Sequence, residues 1–369
     1  MHVPIAVRQT STTNEFSMRI AQIAPLAERV PPKLYGGTER VVSYLTEELV
    51  AMGHEVTLFA SGDSQTRAEL IAGSPCALRL DPDVRDPLAY TVAMIEKIWR
   101  MRDRFDVIHN HADFLAMPLL RRQATPAVTT LHGRLDWRES ATVYREYRDH
   151  PVVSISDSQQ KPLPWMNWIS TVHHGLPLDL LRPPAEPARD YLAFLGRIAP
   201  EKGPDRAIRL ALRTGIPLKI AAKVDRADQE YFVSVIKPLI DGRHIEYIGE
   251  IGEQEKCAFL GNAYALMFMI DWPEPFGMVM IESMACGTPV VAMRRGSVPE
   301  VIEHGVTGFV VDSEADALSA IGLAASLDRL RIRREFERRF SSRRMAQDYR
   351  KLYSLLAEPE DSTLLAAEG

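Results

Sequence analysis

Short apolar segments alternate with helical patterns along this chain, stop at a proline-rich break, and then begin again. That rhythm constrains the fold more than any single residue. MRIAQIAP (18–25) has the character of a buried strand. YGGTERVVSYLTEELVAMG (35–53) carries Val41, Val42, Leu45, Leu49 and Met52 at helical spacing and closes on Gly53. Further strands are expected at 55–61, 106–112, 127–133, 152–158 and 169–175, with polar, proline-bearing chain up to about 87 and a helix over 87–103. LRPPAEPARD (181–190) has no periodicity and reads as a linker. Beyond it, strands are expected at 191–197, 218–224, 244–250, 265–270, 289–293 and 308–312. Such alternation predicts an α/β fold with parallel sheets covered by helices on both faces. Two runs joined by a linker predict two doubly wound domains facing a cleft. Ligands of such sheets bind beyond the carboxyl ends of the strands, so the residues just after each strand carry the functional reading.

Composition removes several alternatives. The 369 residues exceed one ordinary core. A formal charge of −5 argues against general nucleic-acid binding. No apolar run approaches the roughly 18 residues of a membrane span, the longest being AYALMFMI at 263–270. Residues 1–17 lack the apolar core of a signal peptide and read as a disordered leader, with Met18 as a candidate functional start. Cys76, Cys257 and Cys286 form neither a disulfide framework nor a metal spacing, which points to a reducing cytoplasm. Cys286, followed by Gly287 at a helix end, reads as packing. The stretch 328–351 is rich in arginine and reads as a solvated helix face, its rival being contact with an anionic membrane surface.

Three strand ends carry chemistry. In YGGTER, Gly36 and Gly37 open a helix, whose free N–H groups favour anions; the spacing matches neither G-x-G-x-x-G nor the P-loop. A plain tight turn explains it equally well. In GRIAPEKG, Arg197 ends a strand and Lys202 follows before Gly203. A fork and a point charge there could hold a diphosphate, against the alternative of two exposed charges. In DWPEPFGMVMIE, Pro275 keeps Glu274 out of helical geometry and Gly277 permits a sharp turn into the helix. The amides of Phe276, Gly277 and Met278 would then lie beside Glu274, a donor–acceptor set suited to sugar hydroxyls. Glu282, four residues after Met278, shares its helix face. The plain alternative is a helix cap and a surface charge. His109 and His111 form an H-x-H at a strand end, with both rings on one face, but no third ligand stands at motif spacing. His132 ends the 127–131 strand, and the His173–His174 pair reads as loop or core. Asp81-Pro82-Asp83 reads as a turn rather than a D-x-D metal pair.

YGGTERVV, FLGRIAPEKG, EPFGMVMIE and CGTPVVAMRRGSVPEVIEHGVTGFVV together resemble glycosyltransferase family 4, retaining enzymes of the GT-B fold. The resemblance runs from about residue 18 to about 357. It implies an N-terminal acceptor-side Rossmann-like domain over 18–180, a nucleotide-sugar domain over 191–342, a helix over 343–357 returning to the first domain, and a tail over 358–369. It implies that Arg197, Lys202 and Gly37 (beside Gly36) contact the donor diphosphate, and that Glu274 binds donor-sugar hydroxyls with Phe276, Gly277 and Met278 beside it. Glu282 would bind the ribose, and the base would lie near Gly249 to Ile251. His132 would lie near the reacting carbon. Catalysis thus falls to His132, Arg197, Lys202 and Glu274. Acceptor-side candidates are His109, His111, Asp113 and Arg134. The family usually has a glycine-bearing strand end where this chain has Ala222-Lys223, so Lys223 is a candidate extra contact. The implied reaction is metal-independent, cofactor-free transfer, favouring a UDP-sugar, to a carbohydrate, lipid or small-molecule acceptor. Alternatives on the same fold are a nucleotide-sugar epimerase and a non-catalytic nucleotide-sugar binding protein.

Overall fold

The computed structural model describes residues 17–33, 36–79 and 81–358. The expected leader, apart from Ser17, the tail beyond Glu358, and Tyr35 of the glycine motif lie outside the described residues.

Seven parallel strands form the first sheet: β1 (Arg19–Ile23), β2 (Glu55–Ser61), β3 (Glu69–Ser74), β4 (Val107–Asn110), β5 (Ala127–Thr130), β6 (Val152–Ser154) and β7 (Trp168–Thr171). Six more form the second: β8 (Leu192–Arg197), β9 (Leu218–Lys223), β10 (Ile245–Gly249), β11 (Ala265–Phe268), β12 (Val290–Met293) and β13 (Gly308–Val311). The spatial orders are β3-β2-β1-β4-β5-β6-β7 and β10-β9-β8-β11-β12-β13. In each, the order reverses beside the first strand, which creates the crevice where doubly wound sheets take ligands. Strands buried on both faces need apolar residues throughout, and Val290, Val291 and Ala292 of β12 are wholly enclosed.

Two expectations shift. β3 lies in the stretch read as polar loop. It is a half-exposed edge strand, ELIAGS, so it lacks the continuous apolar run that marks the central strands. The segment expected as strand over 152–158 turns after Ser154 into the short helix Asp157–Gln160, because Ser156 caps it by accepting from the Gln159 amide at 3.1 Å.

The chain crosses between the sheets twice, and the crossings run side by side. The Leu176 amide donates to Phe340 O at 2.9 Å, and the Ser342 amide donates to Leu176 O at 2.8 Å. Helix Arg329–Phe340 packs on helix Met278–Ala285, breaks at Ser341, and continues as Ser342–Ala357 against helix Gly37–Ala51 under the first sheet. Tyr349 and Tyr353 of that last helix are fully buried there.

The arginine run is neither a plain solvated face nor a uniform basic patch. Arg329 donates to Gly261 O, Arg333 to Leu181 O and Ala285 O, Arg339 to Val301 O, and Arg344 to His173 O, at 2.6 to 3.2 Å. Buried carbonyls need donors, and a guanidinium supplies several in a fixed fork. Arg331, Arg334, Arg338 and Arg343 face solvent. Among the described residues no helix is long and apolar enough to cross a membrane.

Gly175 makes the crossings possible. A Cβ there would lie 2.3 Å from Ser341 O. Gly175→Ala is expected to lower stability by about 1–3 kcal/mol through overpacking, read from urea unfolding against Gly133→Ala, whose Cβ would meet nothing within 4 Å.

Candidate functional site

Two cavities open between the carboxyl ends of the sheets. The larger, about 550 Å³, is bounded by His132 and Arg134 on one side and by Arg197, Lys202, Glu274 and Met278 on the other. The smaller, about 160 Å³, lies among Arg40, Lys223, Ile251, Lys256 and Glu282. Gly36 and Gly37 belong to the walls of both.

The loop carrying Glu274 is held by backbone contacts that leave no room for side chains. A Cβ on Gly296 would lie 2.3 Å from Glu274 O, and one on Gly203 would lie 2.1 Å from Met269 O. Both glycines also have positive φ, 52° and 68°. Ser297 adds its amide to Glu274 O at 3.0 Å and its hydroxyl to Phe276 O at 2.8 Å. From the first domain, Ser156 Oγ donates to Pro275 O at 2.6 Å. The Glu201 carbonyl accepts from the Asp271 amide at 2.8 Å, tying the Lys202 loop to the Glu274 loop.

Each cation of the cleft stands against a carboxylate. Lys202 Nζ is 2.5 Å from Glu274 Oε2 and 4.5 Å from the centre of the Trp272 ring. Arg197 pairs with Glu201 at 2.5 Å and with Asp228. Lys256 reaches Glu282 at 2.7 Å, Lys223 reaches Asp225 at 2.8 Å, and Arg40 crosses from the first domain to Glu253 of the second. Arg134 holds Asp136 through two bonds and lies 5.3 Å from the Trp272 ring centre.

Behind the larger cavity the histidines form one enclosed chain. His109 and His111, expected on the acceptor side, border neither cavity; both are buried beneath the returning helix. His109 bonds Tyr353 OH at 2.6 Å and Thr130 Oγ1 at 2.7 Å. His111 stands between Gln22 Oε1, at 2.8 Å, and His132 Nε2, at 2.9 Å. The orientation of the Gln22 amide sets the tautomers. Gln22 Nε2 donates to Tyr353 OH, so Gln22 Oε1 accepts from His111 Nε2. His111 Nδ1 is then an acceptor, and His132 Nε2 must donate to it. His132 Nδ1 is left as a bare acceptor, buried and without a partner. The His174 ring stacks on His132 at 5.3 Å, and its Nδ1 is likewise unpartnered.

Several residues were not picked out from the sequence. His174, read as loop or core, is buried yet borders the larger cavity. Arg40 follows the glycine pair directly in GGTER, and Glu253 and Lys256 stand at i,i+3 on helix Glu253–Gly261; both spacings were visible signals. Ile251 and Glu250 border the smaller cavity, whereas Gly249 is not among its lining residues. Asp113 borders a third cavity, described below. Asp83 donates its amide to Asp81 Oδ1 at 3.0 Å, a local turn. Among the described residues, no group of three or more His, Cys, Asp or Glu side chains could hold a metal ion. Cys286 is fully buried, and burial pushes its thiol up.

Burial keeps the histidine chain neutral. It holds His109, His111 and His174 well below the ordinary value, His132 at about 3, and the nearby His150 at about 4. A base whose folded pKa is depressed binds its proton only on unfolding. Stability therefore falls as pH drops below the unfolded value near 6.5, by about 1.4 kcal/mol per pH unit for each histidine. The urea midpoint is expected to drop steeply between pH 6.5 and 5, because five depressed histidines outweigh the raised carboxyls of Asp113 and Glu39, whose effect has the opposite sign. A midpoint that stays flat there would contradict the neutral chain.

Comparison with known proteins agrees with this geometry. Residues 35–169 match the family model Glycosyltransferase Family 4, and residues 182–343 match Glycosyl transferases group 1. Glycogen synthase of Mycobacterium tuberculosis is 26% identical over 332 residues, covering 75% of this chain and 79% of that protein. Phosphatidyl-myo-inositol mannosyltransferase of Mycobacterium leprae is 26% identical over 340 residues, covering 84% and 87%. Among solved structures, a glycosyltransferase involved in Avilamycin A biosynthesis superposes with a TM-score of 0.70 at 24% identity, over 93% of this chain and 99% of that one. An Anabaena protein in complex with UDP and glucose has a TM-score of 0.67 at 16% identity, over 91% and 99%. With one family model on each half and two doubly wound sheets facing a shared cleft, this chain belongs to the family 4 glycosyltransferases of GT-B fold.

Proposed function

We propose that the enzyme moves a sugar from a nucleoside-diphosphate sugar to an acceptor hydroxyl with retention of configuration, and that its own cations, rather than a metal or cofactor, take up the leaving charge. The observation that carries this reading is the Gly36–Gly37 turn, which walls both cavities. One extended ligand can therefore occupy the two cavities, with its linking group at the turn. Helix Gly37–Ala51 begins there, and its free N–H groups favour an anion. That assigns the diphosphate to the turn, the sugar to the larger cavity beside Glu274, and the ribose to the smaller one beside Glu282.

The ion pairs suit this exchange. Lys202 leaves Glu274 for a phosphate oxygen, which frees the carboxylate to accept from sugar hydroxyls. Arg197 turns its fork from Glu201 and Asp228 to the diphosphate. Charge that builds on the leaving oxygens then meets cations already fixed in the cleft. The bond from the anomeric carbon to the phosphate oxygen breaks, and the acceptor oxygen attacks from the same face. The acceptor's proton passes to the departing phosphate. His132, neutral, borders the larger cavity beside the place of the donor sugar.

Thermal-shift screening tests the donor class, with UDP-sugars first and GDP- and ADP-sugars after, since a ligand of the folded state raises its stability. Donor without acceptor is expected to release nucleoside diphosphate slowly; conversion to an epimeric sugar would instead support the isomerase reading. Arg197→Ala is expected to lower kcat/KM by about 10²–10³, and chelators are expected to leave turnover unchanged.

Gly37→Ala separates the shared wall from the fold. Its Cβ meets no atom of the described residues within 4 Å, so the melting temperature should hold. The added methyl intrudes where the diphosphate lies, so donor Kd should rise by at least about tenfold. Unchanged donor affinity would remove the diphosphate from this turn.

A further inference from the structure

A third cavity, about 610 Å³, lies on the first domain at the point where the order of its sheet reverses. Pro25 to Ala27 follow β1 and Ala112 to Asp113 follow β4, so the cavity sits over the crevice between these neighbouring strands. Its wall is largely apolar, built by Leu26, Leu78, Val84, Leu88 and Leu115. Leu88 and Leu115 remain 50% and 38% exposed, an unusual placement for large aliphatic side chains that meet across a cavity. Arg79 borders both this cavity and the larger cavity of the donor site, so the two spaces adjoin.

Asp113 stands at the polar margin. Its backbone has φ of 49°, rare for a residue with a side chain, and Asn110 Nδ2 pins it by donating to Asp113 O at 2.7 Å. Asp113 is exposed as a residue, while desolvation by the surrounding protein raises its carboxyl above the ordinary value. It makes no ion pair with any cation among the described residues, although Arg79 borders the same space and pairs with Glu28 at 2.9 Å.

We propose that this cavity seats the apolar portion of an amphipathic small-molecule acceptor, with the hydroxyl-bearing head held between Asp113 and Arg79 at the mouth of the donor cavity. The inference rests on the transferase reading and adds the acceptor's chemical class. A purely carbohydrate acceptor would bring hydroxyls against Leu26, Leu78 and Leu88, where they find no partners and lose their water. An alkyl or aromatic substituent instead covers side chains that water now touches. The adjoining donor cavity places the head group within reach of the transferred sugar.

The test uses the full chain, and its glycoside comparison needs no donor. Binding of n-octyl β-D-glucoside, below its micellar concentration, is compared with that of methyl β-D-glucoside by calorimetry. The octyl glycoside is expected to bind at least about tenfold more tightly. Leu88→Gln combined with Leu115→Gln, both at exposed positions, is expected to abolish that advantage while leaving the donor-induced thermal shift intact. Equal binding of the two glycosides, or an advantage that survives in the double variant, overturns the proposal. Dissociation of a dimer on adding the octyl glycoside would identify the occupant as a second copy of the chain and overturn it as well. Absence of any nucleotide-sugar response in the wild type would instead count against the donor reading, which the glycoside comparison does not use.

Discussion

Several cations line the partly enclosed cleft between the sheets, and an unpaired cation in such a space is costly. In this structure the problem is met by pairing. Lys202 rests on Glu274, Lys256 on Glu282, Arg197 on Glu201 and Asp228, and Arg40 on Glu253. The acids are therefore not spectators of the cations. They hold the cationic side chains in place and keep the cleft close to neutral. The Arg40–Glu253 pair also crosses between domains, so charge in the site is coupled to the distance between the sheets.

The arrangement depends on backbone that cannot give way. Glu274 sits on a loop pressed against Gly296 and tied by both polar groups of Ser297, and the Lys202 loop is pressed by Gly203 against the end of the same segment. Both halves of the Lys202–Glu274 pair are thus fixed to one rigid surface. The side opposite is fixed differently: His132 is oriented through His111 and Gln22 to Tyr353, a residue of the returning helix. Helix Ser342–Ala357 thereby contributes to the hydrogen-bond chain behind a histidine of the first domain.

The sheets and most of the site were legible in the sequence because they rest on local signals. Apolar runs of strand length mark twelve of the strands, and the missed one, β3, is a half-exposed edge with no such run. Glu274, Glu282, Arg197 and Lys202 stand at recognisable spacings beside strand ends, and the structure brings all four to the two adjoining cavities. What escaped depends on residues far apart in the chain. His109 and His111 looked like acceptor-side groups because H-x-H at a strand end is exposed until something covers it. The cover is Tyr349 and Tyr353, more than 200 positions later. The arginine run looked solvated for the same reason: the carbonyls it satisfies belong to loops at 173, 181, 261, 285 and 301.

The two acids in DWPEPFGMVMIE illustrate how environment separates identical chemistry. Glu274 precedes the helix on a loop clamped from both domains and faces the larger cavity. Glu282 is buried within helix Met278–Ala285 and reaches the smaller one. The seven intervening residues carry the chain from the loop, around Gly277 at φ 79°, and down about one turn of helix. The spacing thus sets a loop glutamate beside the larger cavity and a buried helical glutamate beside the smaller one, two neighbouring spaces reached from a single segment.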